Sequence, residues 1–194
     1  MIKVNKASGT MEIEHDMRIV ENLLAEGGLH RDGSKGTEAP THKTSAQEEE
    51  DGLLEPLVGA GEISKYRSTV MKIACISWDR PDISWNIWQL ARKANAPTKL
   101  DNCKLKKILR YLLKAPCVVQ TFKPQDLGPG NPIKVITDAD HAGDVLTRRS
   151  TTGVIILHGS NMIKFISVSQ QTVALSSGES EFYAMATACS DGYG

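Results

Sequence analysis

What this chain lacks bounds it before what it contains. Its four cysteines, Cys75, Cys103, Cys117 and Cys189, form no CxxC pair. That argues against a zinc site and against a secreted disulfide framework. The first sixteen residues, MIKVNKASGTMEIEHD, hold no apolar signal-type core. No run approaches the ~20 apolar residues a membrane helix needs. The expectation is a soluble intracellular protein, cytoplasmic or nuclear, with no membrane partner. At 194 residues the chain has room for one domain or two small ones.

Net charge is also lacking, but its absence conceals a gradient. Residues 1–60 carry 6 Lys/Arg against 12 Asp/Glu, a net of −6. Residues 61–134 carry 14 against 5, a net of +9, and residues 135–194 carry 3 against 6, a net of −3. A basic segment attracts phosphate backbones in a salt-dependent way. A solvated helix face explains the same charge equally well.

Along the chain, Met17, Val20, Leu24 and Ile13 recur at helical spacing within Met11 to Leu29, and Gly27-Gly28 stops the pattern. From Arg31 to Glu55 no apolar periodicity survives, and an acidic run sits at Glu48 to Asp51. That stretch reads as a mobile linker. Three helices follow. Tyr66, Val70, Ile73 and Ala74 share a face of the first, which the Arg80-Pro81-Asp82 turn closes. Ile87, Leu90, Ala91 and Ala94 mark the second. Thr98 or Asp101 caps the third, where Leu105, Ile108, Leu109 and Leu112 form an apolar stripe. Lys104, Lys106, Lys107, Arg110 and Lys114 fall mostly off that stripe. Asp126 to Pro132 is a Gly/Pro boundary loop.

Beyond the loop come three expected strands, Ile133–Thr137, Gly153–His158 and Met162–Ser167, with a hairpin turn at Gly159-Ser160-Asn161. Ser176-Ser177 followed by Glu179 suggests a helix cap, with Phe182, Met185, Ala186 and Cys189 expected on the buried side. Asp138 stands where the first strand is expected to end, and Glu179 and Glu181 open the helix. Carboxylates brought together from a strand end and a helix suit Mg²⁺, which takes hard oxygen ligands plus water and substrate phosphate. Two such ions about 3.5–4 Å apart can clamp both oxygens of a phosphodiester.

The strings TDADHAGD, TRRSTTG and ALSSGESEFYA, in this order and spacing, resemble the start of the RNase H domain in copia-type LTR-retrotransposon Pol polyproteins. The order YRSTV, RPDISW and KLKKILRYLLKAP resembles the segment between polymerase and RNase H in the same family. The Ile19 to Pro40 stretch resembles the end of the reverse transcriptase. The resemblance implies an α+β chain: a helical N-terminal and connection region, then a truncated RNase H-like domain of three antiparallel strands and its first helix. It divides the chain into a reverse transcriptase remnant at 1–30, an acidic flexible linker at 31–60, a basic connection at 61–125, and the front half of RNase H at 132–194.

The implied ancestral activity is hydrolysis of the RNA strand of RNA–DNA hybrids with Mg²⁺ or Mn²⁺. Asp138 would be its first catalytic and metal-binding carboxylate and Glu181 its second, with Glu179 a capping acid. The implied partners are an RNA–DNA hybrid and the remainder of Pol. The family's later carboxylates, on a fourth strand and a later helix, have no counterpart here, and neither does the polymerase YxDD motif. The alternative is therefore a catalytically inactive nucleic-acid-binding remnant. Asp140 and Asp144 are weighed as metal neighbours against local turn bonding. His141, in place of the family tryptophan, reads as an exposed turn histidine. Arg148 and Arg149 fit phosphate contact or a solvated loop, and Lys104, Lys106, Lys107 and Arg110 fit the nucleic-acid face. Trp78, Trp85 and Trp88 could stack on bases, but helical core packing is the expected role. Asp79 and Asp82 read as turn and cap residues.

Overall fold

A computed structural model describes residues 1–30, 32–41, 55–57, 59–125, 133–144 and 147–193. The expected linker falls largely outside them, including the acidic run. The described residues form five helices and two three-stranded antiparallel sheets, an α+β chain. Packing divides it into two units. One comprises Met1 and Ile13–Gln120, the other Ile2–Glu12 and Thr121–Gly194. The four segments read from the sequence divide the chain by ancestry, which packing does not address.

The first unit is helical. Helix α1 is Met17–Glu26, and the Asp16 carboxylate accepts the Arg18 N–H at 3.0 Å. It covers Met17, Val20 and Leu24 of the expected helical series and stops at Gly27 as expected, but leaves out Ile13. Thr10–Ile13 is strand β2, paired with β1 at Ile2–Asn5. Met11-Glu12-Ile13 alternates apolar and acidic residues, which is the period of a strand and not of a helix. Helix α2 is Ala60–Ile76, α3 Pro81–Arg92 and α4 Lys99–Lys114. Pro81 occupies the first turn of α3. It opens that helix, while α2 has already ended at Ile76; the fixed φ of proline suits a helix start.

Thr98 caps α4 through a reciprocal capping box with Asp101. Val20 and Leu23 of α1, Val70 and Ile73 of α2, Ile83 and Ile87 of α3, and Ile108 and Leu112 of α4 form one buried core. Part of the expected linker is tied down. Thr37 N–H donates to the Arg110 carbonyl, Glu38 pairs with Lys114, and Leu57 is buried in the core.

Arg80 is the largest fully buried side chain. Its guanidinium donates to both Asp82 carboxylate oxygens, at 2.9 and 2.8 Å, and to the carbonyls of Ala115 and Pro116. Tyr111 adds a hydroxyl bond to Asp82 and a ring 5.9 Å from the guanidinium. Burial pushes the Asp82 carboxyl up, but the bonds from Arg80 and Tyr111 outweigh it and the net direction is down. The RPD sequence is thus a buried tie between the start of α3 and the end of α4, more than a turn and cap.

In the second unit, β3 (Gln120–Phe122) completes a sheet of order β1-β2-β3, which the sequence had not suggested. Strands β4 (Ile133–Asp140), β5 (Thr151–His158) and β6 (Asn161–Ser169) form the other sheet in that order. Each runs two or three residues beyond its expected span. The β5–β6 turn is Gly159-Ser160 alone, since His158 already faces Asn161. Gly159 has φ +59°, the left-handed value a two-residue hairpin loop requires of its first residue.

Helix α5, Ser177–Tyr193, packs on β4 and β5. Its buried residues are Ser180, Ala184 and Ala188, spaced by four. Phe182 is 64% exposed, Met185 48%, and Ala186 and Cys189 are also exposed, so the expected buried face is reversed. Small side chains let the helix approach the sheet, and the bulky apolar ones are turned outward.

Candidate functional site

In β4 the partly buried residues alternate with exposed ones: Val135, Thr137 and Ala139 against Ile136, Asp138 and Asp140. Val135 packs with Val154, Ile156 and Ala188, so its face is the one α5 covers. Strand alternation therefore puts Asp138 on the opposite face, across from Gly153. Asp138 lies inside the strand, since β4 runs on through Asp140. Its carboxylate has no hydrogen-bond or ion-pair partner among the described residues.

Glu181 comes from the first turns of α5. Its Oε1 accepts the Ala139 N–H at 3.2 Å, across 42 residues of chain. The helix carboxylate is thereby brought to the residue that follows Asp138. Glu179, two residues earlier, is held elsewhere. Its Oε2 accepts the Leu175 N–H at 2.7 Å and its Oε1 the Tyr183 hydroxyl at 2.9 Å. These bonds, the Leu175 bond first, hold its carboxyl below the usual range. Its own N–H donates to the Ser176 hydroxyl at 3.1 Å, a helix-start arrangement.

The neighbouring candidates are bound into the loop after β4. A Cβ on Gly143 would sit 1.9 Å from Asp140 Oδ2, so that carboxylate lies directly on the glycine. Asp144 Oδ1 accepts the Thr147 N–H, its carbonyl accepts the Arg148 N–H, and its N–H donates to the Arg149 carbonyl. Arg148 is exposed in the left-handed region at φ +57°, and Arg149 is half-buried. His141 is half-buried, with a buried Nδ1 that finds no partner among the described residues, in place of the expected exposed histidine. Asp191 pairs with Lys164 at 2.6 Å. Among the described residues, no three or more His, Cys, Asp and Glu side chains gather closely enough to hold a metal.

The basic candidates of the first unit lie on α4. Lys106 and Arg110 are exposed, Lys104 and Lys107 half-buried, all beside the buried stripe of Leu105, Ile108, Leu109 and Leu112. Lys106, Lys107 and Arg110 have no ion-pair partner among the described residues. The tryptophans depart from expectation. Trp78 is 71% exposed and Trp88 46%, their rings edge-to-face with centroids 6.4 Å apart, while Trp85 is half-buried. The buried face of α3 runs through Ile83, Ile87 and Leu90. Positions 85 and 88 lie off it, a signal present in the helical spacing itself.

A retrovirus-related Pol polyprotein from transposon RE1 of Arabidopsis thaliana is 33% identical over 130 residues, 66% of this chain. An uncharacterized mitochondrial protein of Arabidopsis thaliana is 34% identical over 125 residues, 63% of this chain. The chain belongs to the copia-type retrotransposon Pol family. It spans 50% of that mitochondrial protein and 8% of the RE1 polyprotein. A protein named secreted RxLR effector protein 161, of Plasmopara viticola, is 36% identical over 110 residues, 75% of its own length. No protein-family model matches the Pol-family chain, and no solved structure does. No helix among the described residues is long and apolar enough to cross a membrane.

Proposed function

We propose that this chain is a nucleic-acid-binding portion of a copia-type Pol polyprotein that carries an RNase H-type carboxylate pair, Asp138 and Glu181. The observation that supports the pair is the Glu181–Ala139 bond, which joins helix and strand at the residue following Asp138. Two acids with free lone pairs suit one hydrated Mg²⁺ or Mn²⁺, since Mg²⁺ commonly takes one or two carboxylates and keeps its waters. When bound, such an ion would stabilise charge on a phosphodiester oxygen.

A two-metal clamp needs more ligands than this pair supplies. Strand alternation turns Asp138 to the face of β4 away from α5, so the pair fits at most one weakly held ion at the strand, reached by Glu181 only where it meets Ala139, and no hydrolytic step is assigned to this chain alone. Asp138 and Glu181 would hold the ion, Glu179 fixes the helix start that presents Glu181, and Arg148 and Arg149 would meet phosphate. The complete family activity would be cleavage of the RNA strand of a hybrid, and the cations of α4 would bind the hybrid backbone. The test is an RNA–DNA hybrid cleavage assay with Mg²⁺ or Mn²⁺. The 194-residue chain should show no cleavage above background. Robust cleavage abolished by Asp138→Asn would overturn the one-ion reading while upholding the pair.

A further inference from the structure

We infer that Trp78 and Trp88 form a stacking platform for the unpaired bases of a single-stranded nucleic acid. This inference rests on the nucleic-acid reading above and extends it to a second surface. Exposing two large indoles is unfavourable without a function for them, since a tryptophan removes far more apolar area from water than most side chains when it is covered. Here the rings cover each other only edge-to-face, at an interplanar angle of 86°, so broad ring surface remains open.

The surroundings favour nucleic acid over another protein. Helix α3, which carries Trp88, packs on both α2 and the basic helix α4. Residues Lys99–Lys114 of α4 hold six Lys/Arg, at 99, 104, 106, 107, 110 and 114, against one acid, Asp101; Lys99 pairs with Glu55 and Lys114 with Glu38, while Lys106, Lys107 and Arg110 have no ion-pair partner among the described residues. Arg92, one helical turn beyond Trp88, is exposed. Cations that follow a backbone, together with aromatic faces for its bases, make up a single-strand site. The bases of an intact duplex are already stacked on one another, so the platform selects unpaired ends and single-stranded stretches over hybrid.

The experiment uses the full chain, titrated with oligo(dT), oligo(U) and an RNA–DNA hybrid of equal length. Tryptophan emission and fluorescence anisotropy of labelled strands are both read. Single strands should quench the emission. Trp78→Ala and Trp88→Ala should each weaken single-strand binding about fivefold or more, from the stacking contribution of one base. They should leave hybrid binding and the salt slope unchanged, and far-UV circular dichroism should confirm the fold. Replacing Lys106, Lys107 and Arg110 by Gln should flatten the salt slope for every ligand. If those Gln changes weaken binding but the tryptophan variants do not, the platform is overturned and the nucleic-acid reading stands. If the wild-type chain binds no strand at all, the nucleic-acid reading itself fails. If the tryptophan variants alter only self-association in sedimentation, the patch is a protein contact and the inference is wrong.

Discussion

Arg80 shows how much one side chain can decide. It is fully buried, and its charge is answered by Asp82 and by two backbone carbonyls at the end of α4. Removing one partner of a buried pair leaves the other charge and the carbonyls unanswered, at a cost of about 3–5 kcal/mol. Arg80→Ala should lower the urea midpoint accordingly. Arg80→Lys should not restore it, because an ammonium cannot match the planar fork. A loss of less than about 1 kcal/mol would show that the tie is dispensable. His15 is the second residue of consequence. Its Nε2 meets the Pro116 carbonyl at 3.0 Å while its Nδ1 is buried without a partner. Burial first, and then the Arg80 charge, lower its pKa below 6.5. The unfolded chain therefore takes up the proton more readily than the folded one. Its contribution to stability is present above pH 6.5 and falls as the pH drops toward the folded value. Between pH 7.5 and 5.5, His15→Gln should lose less stability than the wild type. Equal losses would show that His15 does not titrate with folding.

At the scale of the element, α5 is the instructive case. Its seam against the sheet is Ser180, Ala184 and Ala188, and Ala184 is fully buried. Ala184→Leu should overpack the seam at a cost of about 1–3 kcal/mol. Phe182→Ser, on the exposed side, should change stability by less than about 0.5 kcal/mol. The reverse pattern in chemical denaturation would restore the apolar face read from the sequence. That misreading has a physical origin. Ranking faces by hydrophobicity favours Phe182, Met185 and Cys189, whereas close helix–sheet packing here is set by side-chain size. The stripe of α4 and its Thr98 cap were legible because Leu105, Ile108, Leu109 and Leu112 are both apolar and periodic. The β1–β2 hairpin was missed because Ile13 also falls four residues before Met17, in line with the helical series Met17, Val20 and Leu24. Strand β3, only three residues long, carries no periodic signal of its own. Of the candidate site, motif order names Asp138 and Glu181 as candidates, and the Glu181–Ala139 bond is what the fold adds. The Arg80 tie and the pairing of Trp88 with Trp78 were not legible, since both depend on which helices meet, although the place of Trp88 off the buried face was readable from its spacing.

At the scale of the whole chain, two units divide two chemistries. The helical unit holds the α4 cations and the tryptophans, and the second unit holds the carboxylates and Arg148-Arg149. The zero net charge of the sequence hides this division. The chain spans 8% of the RE1 polyprotein and 50% of the similar mitochondrial protein. What this chain contributes on its own comes down to whether Asp138 and Glu181 act together on one ion. The direct measurement is a Mn²⁺ titration followed by electron paramagnetic resonance, on the wild type, Asp138→Asn and Glu181→Gln, with circular dichroism to confirm folding. A shared ion predicts one weak site in the wild type, lost in both variants. Mn²⁺ binding that is equal in all three folded proteins, or absent from all three, would contradict it.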